Sequence, residues 1–187
     1  FVLSMSSLYS QICHEPTGWC YDQSTDQAFY YIETVFVDGE IPEYCGGMHV
    51  GDCDDSIHDV IAATCNGTIV GFQYVMESYT FIPTMGNDGS DYTQDYCSWG
   101  WNGGGDVPEF LYYDASQNII IDITEDNFSP GSNSDGTVPP WSNFGTPNIG
   151  ILNLSTVPDC NGDINGDALI DDCGICSGGF SGHIANS

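Results

Sequence analysis

The chain has 187 residues, and its 27 Asp and Glu stand against no Lys or Arg, so its formal net charge at pH 7 is -27. Without a basic side chain it has no phosphate clamp, no Schiff-base lysine and no cationic face for nucleic acid, and anionic membranes repel it. Because 41% of its residues are hydrophobic and 13% are aromatic, the composition predicts a folded domain with a small appendage rather than disorder.

Strand signals dominate the chain up to residue 157. Residues 28–37 (AFYYIETVFV) are apolar on both faces apart from Glu33, which predicts a buried strand that ends at the turn dipeptide Asp38-Gly39. Further strands are predicted at residues 60–65, 68–75, 78–83, 109–113, 118–123 and 149–154, with Asn66-Gly67 as a hairpin turn between the first two. No long helical pattern interrupts them, so the expected fold class is all-β, an antiparallel β-sandwich over residues 1–157.

The composition changes at Val157-Pro158. Residues 158–187, the C-terminal segment, are rich in Asp, Cys and Gly and predict a second, small unit stabilised by disulfides and calcium. Oxygen-bearing groups recur there at every second position, as they do in calcium loops. The predicted ligands are the side chains of Asp163, Asn165, Asp167 and Asp171 and the carbonyl of Leu169, with Asp159 and Asn161 extending the ladder to a second ion.

Two positions depart from the usual calcium loop. Ala168 stands where the sixth position usually has Gly, and Gly174 stands where the twelfth usually has a bidentate acid. A further carboxylate must therefore come from elsewhere, and Asp172 is the candidate. The alternative interpretation of this stretch is a solvated acidic linker. Residues 85–91 (MGNDGSD) are a second candidate calcium loop, but a plain turn explains them equally well.

The C-terminal segment resembles the Asp-Cys-Asn-Gly repeats of secreted bacterial surface proteins, which are similar in style to thrombospondin type 3 and dockerin calcium loops. The upstream part resembles the module that often precedes such repeats, in five blocks that occur in order: QSTDQAFYY at 23–31, CNGTIVG at 65–71, PTMGNDG at 83–89, GDVPEF at 105–110 and YDAS at 113–116. The resemblance covers about residues 21–187 and implies a non-catalytic, secreted β-sandwich followed by calcium-binding repeats. Modules of that kind usually carry Lys and Arg, which this chain lacks.

Nine cysteines indicate structural disulfides and an oxidising, extracellular compartment. Six precede residue 158 and can pair among themselves, while three follow it, so one of those three must stay free or pair elsewhere. The CxxC at residues 173–176 lacks the further ligands that zinc needs and the βαβ context of thioredoxin chemistry. The disulfide candidates are Cys13 and Cys20, the easiest local pair, with Cys45, Cys53, Cys65, Cys97, Cys160, Cys173 and Cys176.

Enzyme signatures are weak in this sequence. The four His form no HExxH pattern and no G-x-S-x-G elbow occurs. No catalytic residue is therefore assigned, and Glu33, Glu77 and Glu109 are only nominal carboxylates for glycoside hydrolysis. Several aromatic residues could form a sugar-stacking platform, although packing in the core and loops is the favoured interpretation. They are Trp19, Trp99, Trp101, Trp141, Tyr92 and Tyr96.

The leading functional hypothesis is a non-catalytic module at a cell surface that self-assembles into a filament or surface layer, or serves adhesion, through apolar, backbone or calcium-bridged contacts. Residues 1–8 (FVLSMSSL) are either a strand donated to a neighbour's sheet or an ordinary first strand of the same fold. The alternative function is a carbohydrate-binding module of a larger secreted protein, with glycans as partners. Sequons at Asn66, Asn127 and Asn153 fit a secreted glycoprotein.

Overall fold

The structure is a computed structural model that describes residues 11–46, 53–100 and 104–186. Within these ranges the chain is all-β, with short 3-10 turns at Glu125–Asn127 and Gly179–Ser181 and no α-helix. Nothing in the same ranges is a helix long and apolar enough to span a membrane. The strands are β1 (Ile12–His14), β2 (Trp19–Tyr21), β3 (Gln27–Ile32), β4 (Thr34–Val37), β5 (Val60–Cys65), β6 (Thr68–Tyr74), β7 (Thr80–Met85), β8 (Glu109–Asp114), β9 (Ile119–Ile123), β10 (Phe128–Ser129), β11 (Ile151–Leu154), β12 (Leu169–Ile170) and β13 (Cys176–Ser177).

The largest sheet has four antiparallel strands in the order β6-β5-β8-β9. Strand β5 is buried along its whole length, because it lies between two partners and is covered on both faces. Its bounds match the prediction for residues 60–65, and the predicted hairpin turn follows it. Both turn residues, Asn66 and Gly67, have positive φ angles of 51° and 77°, the backbone conformation that a two-residue type I′ hairpin requires.

The strand predicted at residues 28–37 is two strands that meet at Glu33. Strand β3 pairs antiparallel with β7, whereas β4 pairs parallel with β11, which in turn pairs antiparallel with β10. The parallel pair corrects the fully antiparallel arrangement expected from the sequence. Its cause is local: the Glu33 N–H donates to the carbonyl of Gly150, so the chain changes its partner at this residue.

The four-stranded sheet and the strands β3 and β7 share one hydrophobic core. Tyr30 of β3 packs against Phe110 of β8, with the ring centroids 5.7 Å apart, and both side chains are buried. The buried Trp141 donates its indole N–H to the carbonyl of Thr84 at 3.0 Å. A Cβ atom at Gly86 would lie 2.3 Å from the Trp141 ring, so packing requires glycine at this position.

The hairpin β1–β2 covers the other face of the four-stranded sheet. Tyr21 packs edge-on against Phe72 of β6 with centroids 5.4 Å apart, and His14 packs against Tyr113 of β8 at the same separation. Neither strand was predicted from the sequence, because three residues are too few to produce a recognisable alternation. The hairpin therefore packs over part of this face of the sheet.

Four disulfides link cysteines within the described chain. They are Cys13–Cys20, Cys45–Cys53, Cys65–Cys97 and Cys160–Cys176. The six cysteines before residue 158 therefore pair among themselves, and one of the three that follow is left over, both as predicted. The unpaired one is Cys173, which is exposed, so the two cysteines of the CxxC do not bond to each other. Several disulfides indicate an oxidising environment of the extracellular type.

Candidate functional site in the C-terminal segment

Asp159 organises the first half of the C-terminal segment. Its Oδ1 accepts hydrogen bonds from the N–H groups of Asn161 at 2.8 Å and Asp163 at 3.0 Å, and its Oδ2 accepts from the N–H of Ala168 at 2.9 Å. Desolvation alone would raise the pKa of Asp159, but these backbone bonds, that of Ala168 foremost, outweigh it and hold the pKa below its ordinary value. The loop is therefore wrapped around one carboxylate.

Asp171 has the same role in the second half. Its Oδ1 accepts from the N–H groups of Cys173 at 2.9 Å and Ile175 at 3.0 Å, and its Oδ2 accepts from the Ser177 hydroxyl and the Asn186 N–H, each at 3.0 Å. These bonds, led by that from Ile175, lower the pKa of Asp171 to about 2. Asp171 holds the turn between β12 and β13 closed.

Asn165 points toward the body of the protein, by which we mean the described residues that precede the C-terminal segment. Its Oδ1 accepts hydrogen bonds from the Asn127 amide and from the Ser155 N–H, both at 3.1 Å, and its Nδ2 donates to Oδ1 of Asn127 at 3.0 Å. The residue has a positive φ of 57°, a conformation that Asn tolerates better than most residues. Asn165, the predicted ligand at the third position of the calcium loop, therefore fixes the C-terminal segment to the body.

The other predicted ligands lie at the surface of the segment. The Nδ2 of Asn161 donates to Oδ2 of Asp163 at 2.7 Å, Asp167 and Asp172 are exposed, and Leu169 belongs to β12, which pairs with β13. Within the described ranges, no three side chains of His, Cys, Asp or Glu converge in an arrangement that could hold a metal ion. The oxygens that could bind calcium are close together in the chain. Those of Asp159, Asp171 and Asn165 already accept hydrogen bonds from N–H groups and, at Asp171, also from the Ser177 hydroxyl.

Asp38 joins the body to the start of the C-terminal segment. Its Oδ2 accepts from the Thr156 hydroxyl at 2.5 Å, and its Oδ1 accepts from the Ser155 hydroxyl at 2.9 Å and from the Thr156 N–H at 3.0 Å. These bonds, the Thr156 hydroxyl first, lower the pKa of Asp38. The dipeptide Asp38-Gly39 forms the predicted turn, with φ angles of 52° and 84°, and Asp38 also anchors the connection to residue 158.

The body contains further carboxylates that hold loops in place. Glu33 is 8% exposed, and it accepts from the N–H groups of Ser132 at 2.9 Å and Asn133 at 3.3 Å and from the Asn148 amide at 2.7 Å. The Ser132 and Asn148 bonds are the main reasons for its lowered pKa. The other nominal catalytic carboxylates, Glu77 and Glu109, are exposed, so the three glutamates do not share one buried environment.

Residues 85–91 form a turn around Asp88. Its carboxylate accepts from the Thr25 N–H at 3.0 Å, the Ser90 N–H at 3.1 Å and the Thr93 hydroxyl at 2.8 Å. These bonds, led by that of the Thr25 N–H, lower the pKa of Asp88 well below its usual range. The carboxylate oxygens of Asp88 are thus directed to N–H and O–H donors of the chain.

Asp59 is a buried carboxylate that sequence reasoning missed. It is 7% exposed, and it accepts from the Tyr112 hydroxyl and, at 2.8 Å, from the N–H of Ala115. Burial raises the pKa of Asp59 despite these bonds. The sequence signal for its burial was its position: Asp59 directly precedes the buried strand β5.

The candidate aromatic platform is divided between the interior and the surface. Trp19, Trp141 and Tyr96 are buried in the core, whereas Tyr92 and Trp99 are 59% and 55% exposed. Core packing is therefore confirmed for the first three. Trp101 lies outside the described residues, as does the predicted donor strand at residues 1–8.

The three sequons lie in different environments. Asn66 is exposed at the tip of the β5–β6 hairpin, and Asn153 is exposed on β11 with its amide on the Ser129 hydroxyl at 3.0 Å. Asn127 is half-buried and engaged with Asn165. Two of the three side chains, those of Asn66 and Asn153, are therefore exposed.

Comparison with known proteins gives no match: no family model, no curated protein and no solved structure is similar to this chain.

Proposed function

We propose that this chain is a non-catalytic extracellular structural module: a disulfide-bonded β-sandwich whose C-terminal segment binds calcium, and which serves self-assembly in a filament or surface layer, or adhesion. The proposal is supported by the use that the fold makes of its acids. Four carboxylates accept hydrogen bonds from N–H and O–H groups and so hold loops closed. They are those of Glu33, Asp38, Asp88 and Asp171. In a chain without Lys or Arg, these bonds take the place of ion pairs as the means of fixing loops.

The observation that carries the assembly role is the apolar surface of the C-terminal segment. Leu169, Ile170, Phe180 and Ile184 are 74%, 61%, 88% and 78% exposed. These four side chains lie in one short segment, and exposed apolar surface of this kind is available for contact with another chain. Because each copy carries a charge of -27 and no Lys or Arg, ion pairs of Lys or Arg cannot hold copies together, and the attraction has to come from apolar, backbone or calcium-bridged contacts.

In this proposal, calcium binding reduces the repulsion between copies. Its binding would neutralise part of the charge that keeps copies apart, and the oxygen-rich donor set suits a hard cation. The residues that would hold it are Asp163 and Asp167, with Asp159 and Asp172 nearby in sequence. Binding would require oxygens of Asp159 to exchange their N–H donors for the cation, so the loop would rearrange as the ion enters.

The proposal is tested by imaging the purified chain by negative-stain microscopy in millimolar calcium, in magnesium and in chelator at equal ionic strength. We expect assemblies in calcium that disperse in chelator, and none in the variant Asp167→Asn. Calorimetric titration of calcium into the chelated chain should give heat with the native sequence and none with this variant. A chain that shows neither heat nor assembly contradicts the proposal.

A second candidate function is glycan binding, and Tyr92 and Trp99 favour it. Both are large aromatic residues with more than half of their surface exposed, and exposed aromatic rings stack on sugar faces. If the chain stays monomeric in calcium, affinity electrophoresis against soluble polysaccharides would separate the two functions. Tyr44, a tyrosine that is 40% exposed and lies outside this aromatic pair, provides the control. Retardation that is lost in Trp99→Ala and kept in Tyr44→Ala would favour the carbohydrate-binding module.

A further inference from the structure

Strands β3 and β7 carry three aromatic rings on the side of their ladder that faces away from the core. Tyr30 and Ile82 alternate with these rings and are buried, whereas Phe29, Tyr31 and Phe81 are half-buried. Phe81 lies directly opposite Tyr31 in the ladder, and its ring centroid is 6.2 Å from that of Tyr31 and 6.4 Å from that of Phe29. Because alternate residues of a strand point to opposite sides of a sheet, the three rings form one surface opposite the core, which we call the aromatic face.

A fourth aromatic residue, Phe144, lies beside the start of β3. The Phe144 N–H donates to the carbonyl of Gln27 at 2.7 Å, and the Phe29 N–H donates to the carbonyl of Gly145 at 2.9 Å. The side chain of Phe144 is 73% exposed, and its φ of 57° is one that bulky residues rarely adopt. Strained backbone of this kind is concentrated at sites that hold ligands. The fold thus keeps a large exposed ring next to the aromatic face at a cost in backbone energy.

Carboxylates lie at both ends of β3. Asp26 directly precedes the strand, and its Oδ1 accepts a hydrogen bond from the Asn143 amide at 2.9 Å. At the other end, Asn148 pairs with Tyr31 through a β-bridge and lines a recess that also contains the exposed carboxylate of Asp135. Negative charge therefore flanks a surface that is itself aromatic.

Charge complementarity selects the partner that fits this surface. The chain has a net charge of -27 and no Lys or Arg, so its field attracts basic partners and repels acidic ones. The face of an aromatic ring also attracts a cation, and this chain has no Lys or Arg of its own to occupy the rings. Arg suits both features, because its guanidinium group stacks on aromatic rings and pairs with a carboxylate through two hydrogen bonds.

We infer that the aromatic face and Phe144 bind an Arg-containing segment of a different protein. Arg side chains of that segment stack on the rings, and further Arg side chains pair with the carboxylates of Asp26 and Asp135. This inference goes beyond the proposed function, because it requires neither calcium nor self-assembly. It gives the chain a protein partner of opposite charge.

Fluorescence anisotropy of a labelled peptide of alternating Gly and Arg, titrated with the full-length chain in chelator at physiological ionic strength, tests this inference. Phe144→Gly removes the exposed ring and suits the positive φ. Phe180→Gly is the matched control, because Phe180 is 88% exposed in the C-terminal segment and the same net charge remains. We expect Phe144→Gly to weaken binding about fivefold, as the loss of one cation–π contact would, and Phe180→Gly and Phe144→Tyr to bind as the native chain does. Unchanged binding by Phe144→Gly, or an equal loss in Phe180→Gly, would overturn the inference.

Two substitutions of Tyr31 give a second readout, on the aromatic face itself. Tyr31→Phe keeps a ring and should bind the Arg peptide as the native chain does, whereas Tyr31→Leu should bind it more weakly. A peptide of alternating Gly and Ser should not bind, and equal affinity for the two peptides would overturn the inference. Retardation by a soluble polysaccharide that is lost in Phe144→Gly, while the Arg peptide binds that variant unchanged, would assign the surface to glycans instead. Because all these measurements are made without calcium, their failure is distinct from a failure of the proposed self-assembly.

Discussion

Asn127 and Asn165 exchange two amide hydrogen bonds, at 3.1 and 3.0 Å, between the body of the protein and its C-terminal segment. Asn165 adds a bond from the Ser155 N–H to the same oxygen that Asn127 contacts. The pair fixes the segment against the end of β9, where the carbonyl of Asp122 also lies. One side chain that the sequence marked as a calcium ligand thus sets the position of the whole segment.

Breaking this amide pair should loosen the C-terminal segment. In Asn165→Ala, the Ser155 N–H and the Asn127 amide lose their acceptor, so hydrogen exchange at Ser155 should become faster by about tenfold, the equivalent of a bond worth about 1.4 kcal/mol. Unfolding measurements on Asn127→Ala, Asn165→Ala and the double variant should give a coupling energy of about 0.5–3 kcal/mol. Additive effects of the two substitutions would show that the pair does not hold the segment.

Replacing Glu33 should open the loop that contains residues 131–133. Glu33→Ala leaves the N–H groups of Ser132 and Asn133 and the amide of Asn148 without their acceptor, so we expect a melting temperature lower by several degrees. Glu77→Ala is the matched control, because it removes an exposed glutamate and should have little effect. Equal melting temperatures for the two variants would contradict this role of Glu33.

The lowered pKa of Glu33 also makes its contribution to the free energy of unfolding depend on pH. That contribution is present above the pKa that Glu33 has in the unfolded chain, and it is lost as the pH falls through the pKa of the folded state.

His14 should make the fold sensitive to mild acid. Its side chain is buried among Trp19, Phe72, Tyr74 and Tyr113, and its Nε2 finds no hydrogen-bond partner among the described residues. Desolvation lowers the pKa of His14 from its ordinary 6.5, although Asp55, 3.9 Å away, opposes the shift. Because the unfolded chain then binds a proton more readily than the folded one, the free energy of unfolding should fall as the pH drops below about 6.5.

The variant His14→Phe tests this effect, since it keeps an aromatic ring and removes the titrating group, together with the hydrogen bond between Nδ1 of His14 and the Thr17 hydroxyl at 2.8 Å. The dependence of unfolding free energy on pH between about 7 and 5 should be shallower in this variant than in the native chain. Denaturant unfolding at several pH values measures both slopes. Parallel slopes would mean that His14 does not titrate differently in the folded and unfolded states.

The cysteines give a prediction that depends on pairing alone. Alkylation of the folded chain should label one thiol, at Cys173, and Cys173→Ser should change stability by no more than about 0.5 kcal/mol. Removing the Cys160–Cys176 bond, which closes a separation of 16 residues, should destabilise the C-terminal segment by on the order of 3 kcal/mol in the chain-entropy model. Recovery of a labelled peptide containing Cys160 or Cys176 from the native chain would contradict the pairing.

Local signals in the sequence predicted the local features of the fold. Asp38-Gly39 and Asn66-Gly67 form the expected turns because positive φ angles at both positions are a property of those residues themselves. The limits of β5 were predicted because a run that is apolar apart from Thr64 lies between the polar residues Asp59 and Asn66. The division of residues 28–37 was not predicted, because it depends on Gly150 and Asn148, more than a hundred residues further along the chain.

The composition of the C-terminal segment predicted where the candidate site lies, but it did not predict the contacts that each carboxylate makes there. Alternating oxygens indicated Asp159, Asp163, Asp167 and Asp171, but the sequence could not reveal which of them would bind backbone N–H groups. That choice depends on the turn geometry around each carboxylate. The role of Asn165 depends on Asn127, which is distant in sequence and carries no signal except a sequon.

Sedimentation velocity of the full-length chain, measured across a calcium titration and again after chelation, tests the central claim most directly. If the chain is a calcium-dependent structural module, its sedimentation coefficient should rise as calcium is added and return to the monomer value in chelator. Asp167→Asn should remain monomeric throughout, and magnesium at the same ionic strength should not replace calcium. A native chain that sediments as a monomer in millimolar calcium, with the same coefficient in chelator, would contradict the account.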